Sequence, residues 1–357
     1  MSRKGWDAGA DGPLCILHIG AEKTGTTSIQ ESLHANRQRL AAQGVAWPGF
    51  LGHRNHKLLA AAALPAQSDD AAMVGNGFAG DAEAHAAHRA AVAERLSTLA
   101  ASNRAVVLSS EDLQRLPPAS VRTMGALLTP AFARVVVIVF LLRQDVLALR
   151  RRAQLIRTGH VVPAGLPTLE DGGDRRFYDY AALLSAWSEV FGAAAIRPTP
   201  VGPGSALEGE DSVGLFYREA GIDASGFEPV PRLNASPDTP SLEILNRANG
   251  AGIMPGAPGR IRLEEGLATF PADRRASVCR DTAEAFLGRF AVSNAALSAR
   301  WLGGAAPFAH DLGAYPTTDP APDIAREAER RLLLLAADAI PATAAEAHPG
   351  KALRGAA

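Results

Sequence analysis

Cysteine is nearly absent from the chain: Cys15 and Cys279 are the only two among 357 residues. Two cysteines cannot build a disulfide framework, so the sequence favours a reducing compartment. Cys15 lies within the apolar run LCILHIG and is predicted to be a buried free thiol. We therefore expect the fold to depend on its core rather than on covalent cross-links.

Long apolar runs are also missing. The longest, 135–142, is far shorter than the roughly 20 residues that a membrane helix requires, and it is predicted to be a buried strand. The N-terminal segment MSRKGWDAGADGP lacks the apolar stretch of a signal peptide. We expect a soluble, cytoplasmic protein with no membrane span.

The chain has no excess of either charge. It carries 36 Lys and Arg against 37 Asp and Glu. A global field that attracts nucleic acid or anionic membrane is therefore not expected. An apolar content of 47% with 20% charged residues is ordinary for a soluble protein with a sizeable core.

Strands and helices are predicted to alternate over residues 14–202. Apolar runs predict strands at 14–19, 105–109, 134–142 and 194–201. Helical patterns between them predict a parallel α/β sheet flanked by helices. Segment 44–54, with Trp, Pro and three glycines, is predicted to be a loop. Residues 203–340 are predicted to be a mostly helical portion packed on this core, within the same domain.

A segment typical of anion binding, GAEKTGTT (20–27, here the phosphate loop), lies between the first strand and a helix that Thr27 or Ser28 can cap. Amides at such a helix start, together with the helix dipole, favour an anion. Glycines permit the tight turn, Lys23 adds a positive charge, and the threonines add hydroxyl donors. The residues predicted to contact the anion are Gly20, Lys23, Thr24, Gly25, Thr26, Thr27 and Ser28. The alternative is an incidental Gly/Thr-rich turn with a solvated lysine.

The phosphate loop differs from the Walker A motif in its lysine. GxxxxGK[ST] places lysine directly after the second glycine. Here Thr26 occupies that position, and Lys23 precedes Gly25 by two residues.

The string HIGAEKTGTTSIQ resembles the 5′-phosphosulfate loop of sulfotransferases that use 3′-phosphoadenosine 5′-phosphosulfate (PAPS), especially bacterial members with KTGTTS. The resemblance covers roughly residues 14–300. Supporting segments in the same order are VVLSSEDL (106–113), VFLLRQDVLALRRRAQ (139–154), YDYAALLSAWSEVFG (178–192) and LNAS (233–236). The resemblance implies a P-loop-like α/β fold and PAPS as sulfuryl donor without a metal. It also implies as acceptor a hydroxyl of a glycan or small molecule.

By the same resemblance, Lys23 would steady charge on the bridging oxygen and the departing phosphate. Glu111 falls where the family places its general base, and it follows a strand, at the edge of the sheet where α/β proteins bind ligands. The alternative is an ordinary glutamate in the first turn of a helix. His53 and His56 are weaker candidates for the base, and His18 is predicted to be a hydrogen-bonded core residue.

The 3′-phosphate site departs from the family pattern of an arginine at the strand end and a serine eight residues later. Those positions hold Leu142 and Arg150. Arg143 is adjacent to the first, so Arg143 and Arg150 are predicted to bind the 3′-phosphate in place of that pair. The alternative is a solvated basic helix face.

Two other functions stay open. One is a P-loop kinase or NTPase with Glu111 or Asp112 as the acid on the Mg²⁺ side, against which the absent Walker lysine argues. The other is a non-catalytic nucleotide-binding protein that has kept the loop but lost the donor site, as the altered positions Leu142 and Arg150 suggest.

Overall fold

The apolar runs form one five-stranded sheet. A computed structural model describes residues 12–169, 173–230, 237–273 and 276–338. The LNAS segment (233–236) and residues 339–340 of the predicted helical portion lie outside them. The strands are β1 (Leu14–His18), β2 (Val45–Ala46), β3 (Ala105–Ser109), β4 (Arg134–Leu141) and β5 (Ile196–Pro200).

All neighbouring strands are parallel, in the order β2-β3-β1-β4-β5. Helices flank the sheet, so the predicted α/β fold class is confirmed. β1 lies in the middle: Leu14 is in register with Ala105 of β3 and with Arg134 of β4. Every residue of β1 is buried, as its unbroken apolar run requires of a central strand.

Among the described residues, helices connect these strands and follow the last of them. They are α1 (Thr26–Ala35), α2 (Arg37–Ala42), α3 (Lys57–Ala63), α4 (Ala71–Val74), α5 (Ala82–Ser102), α6 (Pro118–Leu128), α7 (Gln144–Arg157), α8 (Gly173–Tyr178), α9 (Tyr180–Phe191), α10 (Ser212–Ala220), α11 (Thr239–Gly250), α12 (Pro258–Leu267), α13 (Arg280–Gly288), α14 (Ala291–Trp301) and α15 (Ala321–Asp338). Two 3₁₀ turns occur at Glu111–Arg115 and Ala193–Ala195. Within the described part of 203–338 there is no strand, which confirms the predicted helical C-terminal portion. None of the described helices is both long and apolar enough to cross a membrane.

The strand order makes two connections diverge at one edge of the sheet. From β1 the chain proceeds to β2, on the β3 side, whereas from β4 it proceeds to β5, on the opposite side. The connections that follow β1 and β4 therefore diverge. Ligands of parallel α/β sheets bind where connections diverge in this way, beyond the carboxyl ends of the strands.

The chain divides into two compact units whose segments interleave. The first unit takes the described residues of Met1–Arg151, Pro167–Ala235 and Glu284–Leu312. The second takes those of Arg152–Leu166, Ser236–Ala283 and Gly313–Ala357 and has a helical core around Ile156, Leu245 and Ala328. Helices α10 and α14 belong to the first unit.

Two local predictions were wrong. Segment 44–54 was predicted to be a loop, but Val45–Ala46 pairs with β3, and two residues are too few to give a strand pattern. Helix α1 begins at Thr26 and its N-cap is Gly25, rather than Thr27 or Ser28. Gly25 has a φ of +93°, a left-handed conformation that glycine adopts without steric cost, so the helix starts earlier than its hydroxyl residues indicated.

Candidate functional site

The phosphate loop follows β1 at the carboxyl edge of the sheet and stays paired with β4 over its first residues. Ala21 donates its amide to the Phe140 carbonyl at 2.9 Å, and Phe140 donates to the Gly20 carbonyl at 2.8 Å. Within the turn, the Thr24 hydroxyl donates to the Ala21 carbonyl at 2.6 Å. The loop is therefore held by internal bonds, and the predicted hydroxyl donor Thr24 is engaged within it.

The start of α1 packs closely against the first residue of α10. A Cβ atom at Gly25 would collide with the side chain of Ser212. Among the described residues, no side chain caps the first turn of α1. Uncapped amides and the helix dipole favour a negative group at this point. Around it Lys23 and Ser28 are half-buried, Thr26 is buried and Thr27 is exposed.

Not every amide of the loop faces outward. The amide of Ala21 belongs to the sheet, and the amide of Glu22 donates to Oε1 of Gln114 at 3.0 Å. The amides of Ala21 and Glu22 are therefore engaged within the protein, and the prediction of anion binding rests on the amides of the later loop residues.

Glu111 lies directly against the phosphate loop. Its Oε2 accepts the Thr26 hydroxyl at 2.6 Å. A Cβ atom at Gly20 would lie 3.5 Å from the Cα of Glu111, so the two segments are in contact. The structure thus brings together Thr26 of the predicted anion site and the predicted base.

A second carboxylate, that of Glu22, lies close enough to Glu111 for their charges to interact. Desolvation raises the pKa of Glu22, Arg115 beside it opposes that rise, and the charge of Glu111 adds to it. Arg115 lies 3.5 Å from Glu22 and also pairs with Asp112. The site therefore mixes carboxylates with cations.

Arg150 reaches the phosphate loop from α7. Its Nη1 donates to the Lys23 carbonyl at 2.9 Å, and desolvation lowers its pKa, although an arginine stays charged at neutral pH. The next residue, Arg151, stacks its guanidinium 4.7 Å from the ring centre of Phe177. Arg150 thus joins α7 to the phosphate loop, and the charge of Arg151 acts on Glu22 of the same loop.

Arg143 is differently engaged. Its Nε and Nη2 donate to the two carboxylate oxygens of Asp145, both at 2.9 Å, and its Nη1 donates to the Asp311 carbonyl at 2.7 Å. Both members of the ion pair are buried. Arg143 and Arg150 were predicted to bind one phosphate together. In the structure Arg150 bonds the phosphate loop, whereas Arg143 pairs with Asp145.

The end of β4 is closed by neighbouring side chains. Leu142, in the position of the family's strand-end arginine, is buried, and its carbonyl accepts the Tyr180 hydroxyl at 2.6 Å. Gln144 exchanges amide hydrogen bonds with Asn294 of α14.

Two of the three histidines considered above, His18 and His56, are buried in the interior. His18 is buried and its Nδ1 lies 2.8 Å from the Ser109 hydroxyl, which confirms its prediction as a core residue. His56 is also buried, and its Nδ1 accepts the Ser109 amide at 3.1 Å. Burial lowers the pKa of each to about 3. His53 is exposed beside His34. Glu111 is thus the candidate base in contact with the phosphate loop.

The buried histidines predict a pH dependence of stability. The folded-state pKa of each histidine lies below the unfolded value of about 6.5. Their contribution to the free energy of unfolding is therefore complete above pH 6.5 and is lost as the pH falls toward 3. We expect the free energy of unfolding in urea to drop by about 0.7 kcal/mol for each histidine between pH 7 and pH 6. His18→Asn and His56→Asn should each remove the contribution of about 0.7 kcal/mol from the replaced histidine, which is about half of the combined drop. Equal stability of the unmutated protein at both pH values would contradict the prediction.

Sequence reasoning missed three polar residues of the site: Glu22, Gln114 and Arg115. Glu22 was read only as part of the loop, and the other two lie three and four residues after Glu111 on the same 3₁₀ turn. Their proximity to the predicted base along the chain was the available signal. Among the described residues, no group of three or more His, Cys, Asp or Glu side chains is arranged to hold a metal ion.

Comparison with known proteins gives limited information. No family model matches the chain. No curated protein is significantly similar to it in sequence. A sulfotransferase from Alicyclobacillus acidocaldarius is similar in structure, with a TM-score of 0.38 and 14% identity, over 81% of this chain and 95% of that one. At this level of similarity the site assignment depends on the contacts described above.

Proposed function

We propose that the protein is a sulfotransferase that moves a sulfuryl group from PAPS to a hydroxyl of a carbohydrate or small metabolite. One observation carries the proposal: the KTGTTS loop begins an uncapped helix at the carboxyl end of the central strand, and the Thr26 hydroxyl bonds Glu111 there. An anion-binding turn and a carboxylate at one point are what sulfuryl transfer to a hydroxyl requires.

In this proposal the loop binds the phosphate of the donor. The amides of residues 24–27 and the α1 dipole hold the 5′-phosphate, and Lys23 offsets the negative charge that develops on the bridging oxygen. PAPS, when bound, supplies the sulfuryl group and leaves as adenosine 3′,5′-bisphosphate. Catalysis is then mainly positioning and charge stabilisation, as in phosphoryl transfer.

Glu111 receives the proton of the acceptor hydroxyl. Its Oε2 is oriented by Thr26, and Oε1 is the oxygen proposed to face the acceptor. As the acceptor oxygen attacks the sulfur, its O–H bond breaks, and the proton passes to the carboxylate.

Arg150 is proposed to bind the 3′-phosphate, with Arg143 in support. A guanidinium against the loop is suited to a phosphate dianion, which it binds by charge-assisted hydrogen bonds. Arg143 donates to Asp145 and to the Asp311 carbonyl, so its proposed contribution is secondary to that of Arg150.

Calorimetric titration with adenosine 3′,5′-bisphosphate and with 5′-AMP tests the donor site. We expect the bisphosphate to bind at least about tenfold more tightly, since a charge-assisted contact supplies roughly 1.5–3 kcal/mol. Arg150→Ala should erase this preference, whereas Arg122→Ala, on the exposed side of α6, should retain it. Arg143→Ala removes the guanidinium that donates to both carboxylate oxygens of the buried Asp145 and should lower the melting temperature as well.

Equal affinity of the unmutated protein for both nucleotides would contradict a 3′-phosphate site. A second candidate, a P-loop NTPase, is favoured by the Thr26–Glu111 pair, because a hydroxyl and a carboxylate are groups that hold Mg²⁺ in such enzymes. ATP with Mg²⁺ in the same titration separates the two: tighter binding than the bisphosphate supports the NTPase.

A further inference from the structure

Gln114 is a buried amide in the turn that carries Glu111. Only 4% of its surface is exposed. The 3₁₀ turn Glu111–Arg115 places it three residues after Glu111. Because a buried amide destabilises a protein unless it is hydrogen-bonded, its partners are the reason it is tolerated there.

Those partners belong to two other segments of the chain. Oε1 of Gln114 accepts the amide of Glu22 in the phosphate loop at 3.0 Å. Nε2 donates to the carbonyl of Phe177 at 3.3 Å. One side chain therefore joins the phosphate loop, the Glu111 turn and helix α8.

The Thr26–Glu111 bond is a second connection between the turn and the loop. It joins the start of α1 to the first residue of the turn, whereas Gln114 joins Glu22 to the fourth. A single hydrogen bond would let the turn pivot about it. The two hydrogen bonds, together with the ion pair between Arg115 of the turn and Glu22 of the loop, fix both the distance and the orientation of the turn.

We propose that Gln114 is a positioning residue that holds Glu111 in register with the phosphate loop, an inference that rests on the proposed function. Its bond also keeps the Glu22 amide turned away from the anion. Misplacing a catalytic group by about 1 Å can cost roughly 10²-fold in rate, so a buried amide that sets this distance acts on turnover without touching substrate.

Hydrogen exchange at the Glu22 amide tests the contact without any need for activity. Gln114→Leu removes the acceptor, Gln114→Asn is too short to reach, and Gln114→Glu retains an oxygen at the same distance. We expect exchange at Glu22 to be at least about tenfold faster in the Leu and Asn variants and near the unmutated rate in the Glu variant. Unchanged protection in the Leu and Asn variants overturns the proposal.

Turnover then tests whether Gln114 acts through Glu111. We expect Gln114→Leu to lower kcat by about 10- to 100-fold and to change the Kd for adenosine 3′,5′-bisphosphate by less than about threefold. In a Glu111→Gln background the same substitution should cost less than about threefold more, because the group it positions is already lost. A full additional loss in that background would mean a general structural role and would overturn the proposal.

Asn246→Leu is the matched control, since Asn246 is a bridging amide of the second unit, bonded at both ends to Val162. It should affect stability but not exchange at Glu22. If Gln114→Leu does not fold, Gln114→Asn carries both tests. If the unmutated protein transfers no sulfuryl group, the proposed function fails, while the exchange experiment still decides whether Gln114 fixes the turn to the loop.

Discussion

Lys23→Ala is expected to lower the rate of sulfuryl transfer by at least about 10³-fold and to leave the fold intact. A positive charge at the developing negative charge contributes several kcal/mol in a site shielded from water, and each 1.4 kcal/mol or so is tenfold in rate. We expect the melting temperature of the Lys23→Ala protein to equal that of the unmutated protein. Lys23 has a φ of +65°, and alanine keeps the same Cβ, so the backbone cost is the same in both proteins.

The measurement is single-turnover transfer from PAPS, with circular dichroism melting on the same samples. Lys57→Ala is the matched control, because Lys57 is an exposed lysine at the start of α3. It should retain full activity. An active Lys23→Ala protein would mean that the reaction does not occur at the phosphate loop.

Glu111→Gln is expected to lower kcat by roughly 10²–10⁴-fold with little change in donor affinity, because it removes the proton acceptor. The substitution is close to isosteric, and the glutamine oxygen can still accept the Thr26 hydroxyl. The geometry of the loop should therefore persist. Steady-state kinetics and bisphosphate titration separate the two effects.

Asp112→Asn is the control for loss of a negative charge next to the site. Asp112 pairs with Arg115 and its amide donates to the Ser110 hydroxyl at 3.2 Å. We expect the kcat of Asp112→Asn to stay within about threefold of that of the unmutated protein. Weakened donor binding with normal turnover in Glu111→Gln would instead assign Glu111 to holding the loop.

The fold could be predicted where the sequence repeats one signal over many residues. β1 and β4 are continuous apolar runs buried on both faces, and only a central parallel strand accommodates such a run. β2 could not be found, because Val45–Ala46 is too short to show a pattern. The start of α1 was misplaced because the backbone of Gly25, rather than a hydroxyl side chain, sets it.

For the candidate site, the sequence predicted which segments of the chain meet. Strands β1 and β3 are parallel neighbours, so the residues that follow them had to meet, and Glu111 does contact Thr26. The direction of individual side chains was not predictable. Arg143 turns to Asp145 and to a carbonyl from a segment 168 residues later, a choice made by tertiary packing rather than by local sequence.

The interleaving of the two units has a consequence for the order of events during synthesis. Asp145 becomes available to Arg143 at once, but Asp311 and Asn294, which bond Arg143 and Gln144, emerge 168 and 150 residues later. At ribosomal speeds this delay is on the order of ten seconds. Throughout it, the carboxyl end of β4 exists in the nascent chain without the segment that completes it. The edge that is proposed to perform the chemistry is therefore among the last parts of the first unit to reach its final form.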